Sequence, residues 1–146
     1  MQIRKEYRVE YAHRLMNHPG MCRNIHGHSG KVAVVFEGEV QSSTGMIVDF
    51  GDLKWAKQII DIYDHSLVLE KSDPFYQVIL DQSVLMKFTP ALRLIGVSVT
   101  PTAENFCLWI AQDLMQYINS SQLSFKLVSV SFEETPGNSA TYYPQD

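Results

Sequence analysis

Apolar side chains recur along one side of the first residues of the chain. Ile3, Tyr7, Val9 and Tyr11 occupy odd positions, and charged residues separate most of them. Alternation of this kind buries one face of an extended segment and wets the other, so residues 3–11 are expected to form a strand. Residues 31–40 are rich in Val and Phe and predict a second strand. Gln41-Ser42-Ser43-Thr44-Gly45 reads as a turn, and Met46 to Val48 as a short apolar lead-in to a helix. The period then changes. Leu53, Ala56, Ile59, Ile60 and Tyr63 recur at helical spacing and give one buried stripe. Asp49 is the expected N-cap of that helix, with Asp52 in its first turn.

Residues 66–100 are less periodic. Asp73-Pro74 can open a short helix through Val78, Ile79 and Leu80, and residues 92–99 can form a strand. Thr100-Pro101 reads as an N-cap followed by proline at the first helical position. Phe106, Ile110, Leu114, Tyr117 and Ile118 form the apolar face of a second long helix. A strand over 127–132, a turn at Pro136-Gly137-Asn138 and a short strand over 140–143 complete the chain. The expected order is β-β-α-(insert)-α-β-β. Two long helices can cover one face of a four-stranded antiparallel sheet, an α+β fold in a single domain over residues 1–146 with an extended segment at about 66–100.

Composition narrows the function. The 146 residues are 45% hydrophobic and 19% charged, enough for one domain with a real core. The formal net charge of −4 lacks the basic excess of a protein that grips a nucleic-acid backbone, so no nucleic-acid partner is expected. Charge from Arg4 onward argues against a signal peptide, and no apolar run approaches a membrane span. Cys22 and Cys107 are far apart, with no CxxC, which fits a reducing cytoplasm.

The candidate chemistry lies in the histidines. In the stretch CRNIHGH, His26 and His28 are two residues apart, so both rings point to one side of an extended segment. His13, at the end of the first strand, is the natural third imidazole, and three neutral imidazoles suit zinc with a position left open. The pair also fits a hydrogen-bonded turn around Gly27. Cys22 can be a fourth ligand, a thiolate held beside the ion, or an inert buried thiol, which is the reading for Cys107. Asp64 precedes His65 and can orient its ring for acid/base work if the helix ends there; an exposed pair at a helix terminus is the bland alternative. Glu133 and Glu134 fall on opposite faces of a strand, so one of them can point into a pocket and hold a guanidine-like edge, or both are solvated. His18 reads as a loop residue.

Six stretches recur in order: YAHRL (11–15), CRNIHGH (22–28), GMIVDFGDLK (45–54), YDH (63–65), PTAEN (101–105) and EETPGNSATYY (133–143). With them the chain resembles the 6-pyruvoyl-tetrahydropterin synthase / 6-carboxy-tetrahydropterin synthase family over most of its length. The resemblance implies the tunnelling (T-) fold, whose subunits assemble through their sheets into barrels. It also implies a homo-oligomer, a trimer or a hexamer of two trimers back to back, with active sites at subunit interfaces. It implies Zn2+ held by His13, His26 and His28. Cys22 matches the catalytic thiolate, a proton acceptor and not a ligand, and Asp64 and His65 match the acid/base pair. Glu134 matches the anchor of the pterin's amino-pyrimidine edge. Thr102 and Ala103 match the stretch that lines the pterin pocket, and Glu104 shares that motif.

The implied substrate class is 7,8-dihydroneopterin triphosphate. Some basic residues must meet the triphosphate; Arg14 and Arg23 flank the site in the sequence, and neither is assigned. Three residues separate Cys22 from His26, as in the queuosine-pathway 6-carboxy-tetrahydropterin synthases, whereas the animal pyruvoyl synthases carry a longer gap. The implied reaction is that of a lyase giving 6-carboxy-5,6,7,8-tetrahydropterin with acetaldehyde and triphosphate. The alternatives are pyruvoyl-type triphosphate elimination, a side-chain aldolase on the same scaffold, and a non-catalytic zinc and pterin binder. The chain departs from the family in having Val9 in place of a phenylalanine, Leu67-Val68-Leu69 where an asparagine is frequent, and a longer 66–100 segment.

Overall fold

A computed structural model of the chain describes residues 1–87 and 92–145; residues 88–91 of the extended segment lie outside the described residues. The strands are β1 (Gln2–His13), β2 (His26–Gly38), β3 (Ser66–Glu70), β4 (Leu94–Val97), β5 (Phe125–Thr135) and β6 (Asn138–Tyr142). The helices are α1 (Lys54–Ile60), α2 (Pro74–Met86) and α3 (Ala103–Ser120). Short 3-10 turns occupy Met21–Arg23 and Phe50–Leu53. Among the described residues no helix is long and apolar enough to cross a membrane.

The α+β class and the four antiparallel strands expected from the sequence are present: β1 pairs with β2, β2 with β5, and β5 with β6. The sheet is nevertheless larger and mixed, in the order β4-β3-β1-β2-β5-β6. β3 runs parallel to β1, and β4 parallel to β3, with α2 as the crossover between them. The extended segment therefore adds two strands to one edge. Leu67-Val68-Leu69 is a continuous apolar run without alternation, and such a run has no period from which to read a strand.

Two helix boundaries also differ from expectation. α1 spans only Lys54–Ile60, so α3 is the one helix of the expected pair that is long. Tyr63 leaves the helix yet stays buried. The cap of α3 is Thr102, not Thr100: its side chain accepts from the Asn105 N–H at 3.4 Å, and the helix begins at Ala103. Pro101 thus lies outside the helix, with its carbonyl free for another donor. Asp73 opens α2 as expected, accepting from the Phe75 N–H, whereas Asp49 caps the Phe50–Leu53 3-10 turn that leads into α1, accepting from the Gly51 N–H, and α1 itself follows Leu53 with no side-chain cap.

One face of the sheet carries the core. Val9, Val32, Val34, Phe36, Val130 and Phe132 point inward and meet Phe106, Ile110 and Leu114 of α3, all fully buried. Phe106 stacks on Phe132 at 4.7 Å and meets Tyr11, Tyr63 and Trp109 edge-on at 5.0–5.5 Å. The opposite face carries charged pairs: Arg4 with Glu6, and Lys31 with Glu6 and Glu133.

Phe106→Ala should lower stability by about 3–5 kcal/mol, the usual cost of an aromatic-to-alanine core truncation. Urea unfolding of the wild type and the variant measures it.

Candidate metal centre and adjoining cleft

Strand pairing builds the centre. In the β1–β2 register His13 lies opposite His26 and Tyr11 opposite His28. Directly opposed residues on an antiparallel pair bring their Cβ atoms close, and residues two apart share a face. The three rings accordingly converge, with centroids 4.7 Å (His13–His26), 4.8 Å (His26–His28) and 5.1 Å (His13–His28) apart. One ring nitrogen from each lies within 4.8 Å of the others, a group able to hold a metal ion.

Backbone carbonyls set two of the tautomers. Nδ1 of His13 donates to the Pro101 carbonyl at 2.7 Å, and Nδ1 of His26 to the Asn24 carbonyl at 2.8 Å. A carbonyl only accepts, so each Nδ1 carries the proton in the neutral ring and each Nε2 keeps its lone pair. Nε2 of His13 and of His28 are buried without a hydrogen-bond partner. Buried polar atoms are normally satisfied, so this pair of unpartnered nitrogens has the chemistry of metal ligands. Burial holds the pKa of His13 below its ordinary value, although the Pro101 carbonyl and Glu134 pull the other way. Burial likewise lowers His28, against the pull of Glu134. Neutral imidazoles are the metal-binding form.

Glu134 lies on the same side. Its carboxylate is 3.4 Å from His28 Nε2 and 3.9 Å from His13 Nε2. Glu133 faces the other way, 3.4 Å from Lys31 Nζ, and the β5–β6 register shifts between Glu133 and Thr135. Glu134 also lines a cleft of about 480 Å³ together with Leu15, Thr102, Ala103 and Glu104. The four residues expected around the pterin thus share one cavity, next to the three histidines.

Cys22 sits half-buried on the Met21–Arg23 turn, where its carbonyl accepts from the Leu15 N–H at 2.9 Å. It is outside the ligand group formed by the three histidines. Cys107 is buried at the core, and burial pushes its thiol up to about 11. Asp64 and His65 form a pair of their own, with 2.7 Å between Asp64 Oδ2 and His65 Nδ1. The other oxygen of Asp64 accepts from the Glu10 N–H at 2.8 Å. Burial raises this carboxyl, but the Glu10 N–H and the His65 ring outweigh it and hold it below its ordinary value. His65 has φ +54° and a side chain 75% exposed. No hydrogen bond or ring contact among the described residues joins this pair to the three histidines.

The carbonyls of Pro101 and Asn24 were not foreseen, because a main-chain acceptor leaves no residue-type signal. Tyr11, expected on the strand and at the start of YAHRL without a role of its own, packs its ring 5.1 Å from His13 and 5.6 Å from His28.

A family model described as 6-pyruvoyl tetrahydropterin synthase matches residues 2–145. A 6-carboxy-5,6,7,8-tetrahydropterin synthase of Haemophilus influenzae is 32% identical over 146 residues, 97% of each chain. A protein of the same name from Aquifex aeolicus is 32% identical over 124 residues, 83% of this chain and 75% of the relative. Among solved structures, an uncharacterized protein of Wolinella succinogenes superposes with a TM-score of 0.82 at 28% identity, covering 99% of this chain and 98% of the other. The 6-pyruvoyl tetrahydropterin synthase of Caenorhabditis elegans shares the fold with a TM-score of 0.71 at 24% identity, covering 99% and 96%.

Two outcomes are expected of the centre. His26→Ala should lose most of the metal bound by the wild type, read by elemental analysis of the purified proteins. The metal-free chain should lose stability as pH falls below 6.5, the ordinary histidine value from which His13 and His28 are lowered. Below that pH the unfolded state binds protons that the folded rings resist, so stability rises with pH across the window and levels off above it. Denaturant midpoints at several pH values check the sign.

Proposed function

The chain belongs to the 6-pyruvoyl tetrahydropterin synthase family, and on that premise we propose that it is a zinc-dependent lyase converting 7,8-dihydroneopterin triphosphate to 6-carboxy-5,6,7,8-tetrahydropterin, acetaldehyde and triphosphate. The observation that carries the reading is the convergence of His13, His26 and His28 beside Glu134, a residue that also lines a cleft with Thr102, Ala103 and Glu104. The relatives named 6-carboxy-5,6,7,8-tetrahydropterin synthase support the carboxy product.

In this reading His13, His26 and His28 hold the zinc through Nε2 of His13 and His26 and a ring nitrogen of His28. When bound, the ion supplies a Lewis acid that polarises side-chain hydroxyls and makes neighbouring C–H protons removable. Glu134 accepts two hydrogen bonds from the amino-pyrimidine edge, as a carboxylate does from paired N–H donors. Thr102, Ala103 and Glu104 line the space around the ring. Cys22, near the centre in sequence but outside its ligand set, takes a proton as the thiolate. Asp64 fixes the His65 ring through Nδ1, which leaves Nε2 to exchange a proton.

The exposure of His65 and its separation from the three histidines favour a site completed between subunits, with His65 serving a neighbouring copy in a homo-oligomer, a trimer or hexamer built through the sheets. A cytoplasmic location agrees with the two free cysteines.

Incubation of the zinc-loaded protein with 7,8-dihydroneopterin triphosphate, followed by mass analysis, tests the reaction. 6-Carboxy-5,6,7,8-tetrahydropterin with acetaldehyde is the expected product pair; a pyruvoyl product or an unreacted pterin would overturn the proposal. Cys22→Ala should keep zinc stoichiometry and pterin affinity and lose turnover. A Zn–S bond near 2.3 Å in the resting protein would instead make the sulfur a ligand.

A further inference from the structure

The reading above leaves one buried polar atom of the centre without a use. Nε2 of His13, Nε2 of His28 and the hydroxyl oxygen of Tyr11 are all buried without a hydrogen-bond partner, and only the nitrogens are engaged by a metal ion. Tyr11 is 4% exposed. Its ring meets Phe106 edge-on at 5.0 Å and Phe132 at 5.4 Å, besides the two histidines. Gly30, two residues after His28, makes room for it: a Cβ there would come 3.2 Å from Tyr11 Cε1. The ring therefore has one seat. A phenylalanine would fill that seat as well, so packing does not account for the hydroxyl, and a buried tyrosine hydroxyl normally finds a partner.

Glu134 is the acceptor that faces this hydroxyl. Burial first, and then the charge and acceptor oxygens of Glu134, hold the Tyr11 pKa far above its ordinary value, so the hydroxyl keeps its proton. The same carboxylate has oxygens 3.4 Å from His28 Nε2 and 3.9 Å from His13 Nε2. A ring nitrogen that gives its lone pair to a metal ion has no proton to offer a carboxylate. Carboxylates are themselves zinc ligands, so a carboxylate at this distance needs a donor elsewhere to stay off the ion. Tyr11 is that donor, and a neutral one.

We infer that Tyr11 is a positioning residue for Glu134: in the metal-loaded protein its hydroxyl donates to the Glu134 carboxylate and keeps that group turned to the cleft and out of the ligand set of the ion. The inference rests on the pterin reading above, which gives Glu134 its ligand. A carboxylate has about four lone-pair sites, so a bond from Tyr11 leaves room for two from an amino-pyrimidine edge. Tyr11 acts through Glu134. Its ring is held by the same strand register that aims His13 and His28, which ties the direction of the carboxylate to that of the imidazoles.

Two measurements on the zinc-loaded protein test it. The first is a double-mutant cycle read by calorimetric titration with 7,8-dihydroneopterin. Tyr11→Phe should weaken binding about tenfold or more, the worth of a hydrogen bond to a charged group, and keep the zinc stoichiometry. Tyr11→Phe combined with Glu134→Gln should bind no more weakly than Glu134→Gln alone, because the hydroxyl then has no carboxylate to hold. Additive losses, or wild-type affinity in Tyr11→Phe, would overturn the inference; a purely structural role for the hydroxyl gives additive losses. The second is proton NMR with 13C-labelled tyrosine, which needs no ligand and no change at Tyr11. The Tyr11 hydroxyl proton should resonate downfield and exchange slowly, and Glu134→Gln should move it upfield. Its absence from the wild type, or a position unmoved by Glu134→Gln, would overturn the inference. If the NMR result holds and wild type binds no dihydroneopterin, the pterin reading fails and the Tyr11–Glu134 bond stands.

Discussion

The pairing of β1 with β2 is the constraint on which the centre depends. Register places His13 opposite His26, and the two-residue repeat of a strand returns His28 to the same face. A slip by one residue would turn His26 and His28 to the charged face of the sheet and bring Gly27 toward the core. The apolar alternation guards against that slip. Val9, Tyr11, Val32, Val34 and Phe36 share the face of the histidines, so the burial that drives folding also aims the rings. No separate device is needed to orient them beyond two main-chain carbonyls and the packing of Tyr11.

Much of this was legible in the residues. Alternation marked β1, and the HGH spacing placed two imidazoles on one side before any pairing was known. Strand parity allowed one of Glu133 and Glu134 to face inward, and the residues EETPG could not say which way the bulge near Thr135 would settle it. Other features had no such signature. Leu67-Val68-Leu69 has no period from which to read β3, the parallel strand between β1 and β4, whereas the edge strand β4 falls within the strand expected over 92–99. Thr100 and Thr102 both precede a helical pattern, and the preference for proline at the first helical position favoured Thr100. The chain instead leaves Pro101 outside the helix, which starts one residue after Thr102. A longer first helix is expected because the apolar stripe continues through Tyr63, which is buried without being helical.

The chemistry-bearing residues divide into two groups. The three histidines and Glu134 are assembled within one chain by long-range strand pairing. Asp64 and His65 are assembled locally, by a sharp exit from α1 that forces His65 into the left-handed region. Non-glycine residues adopt that region at a cost, and here the N–H of His65 is bonded to the Glu10 carbonyl, which anchors the strained turn to β1. The exposed ring therefore stands at a defined height above the sheet. The extended segment contributes a different kind of rigidity, with Asp73 and Phe75 bracing the residue after His13.

The bond from His13 to the Pro101 carbonyl joins the last residue of β1 to the approach of α3. Proline fixes its own φ and has no N–H to offer a competing strand, and its carbonyl here accepts from the His13 ring. The longest helix of the fold and the ring of His13 consequently behave as a single mechanical part. If α3 slid along the sheet by one turn, the acceptor would be withdrawn and Phe106 would leave its stack on Phe132. The helix has one seating, and an imidazole at the sheet's end acts as its detent.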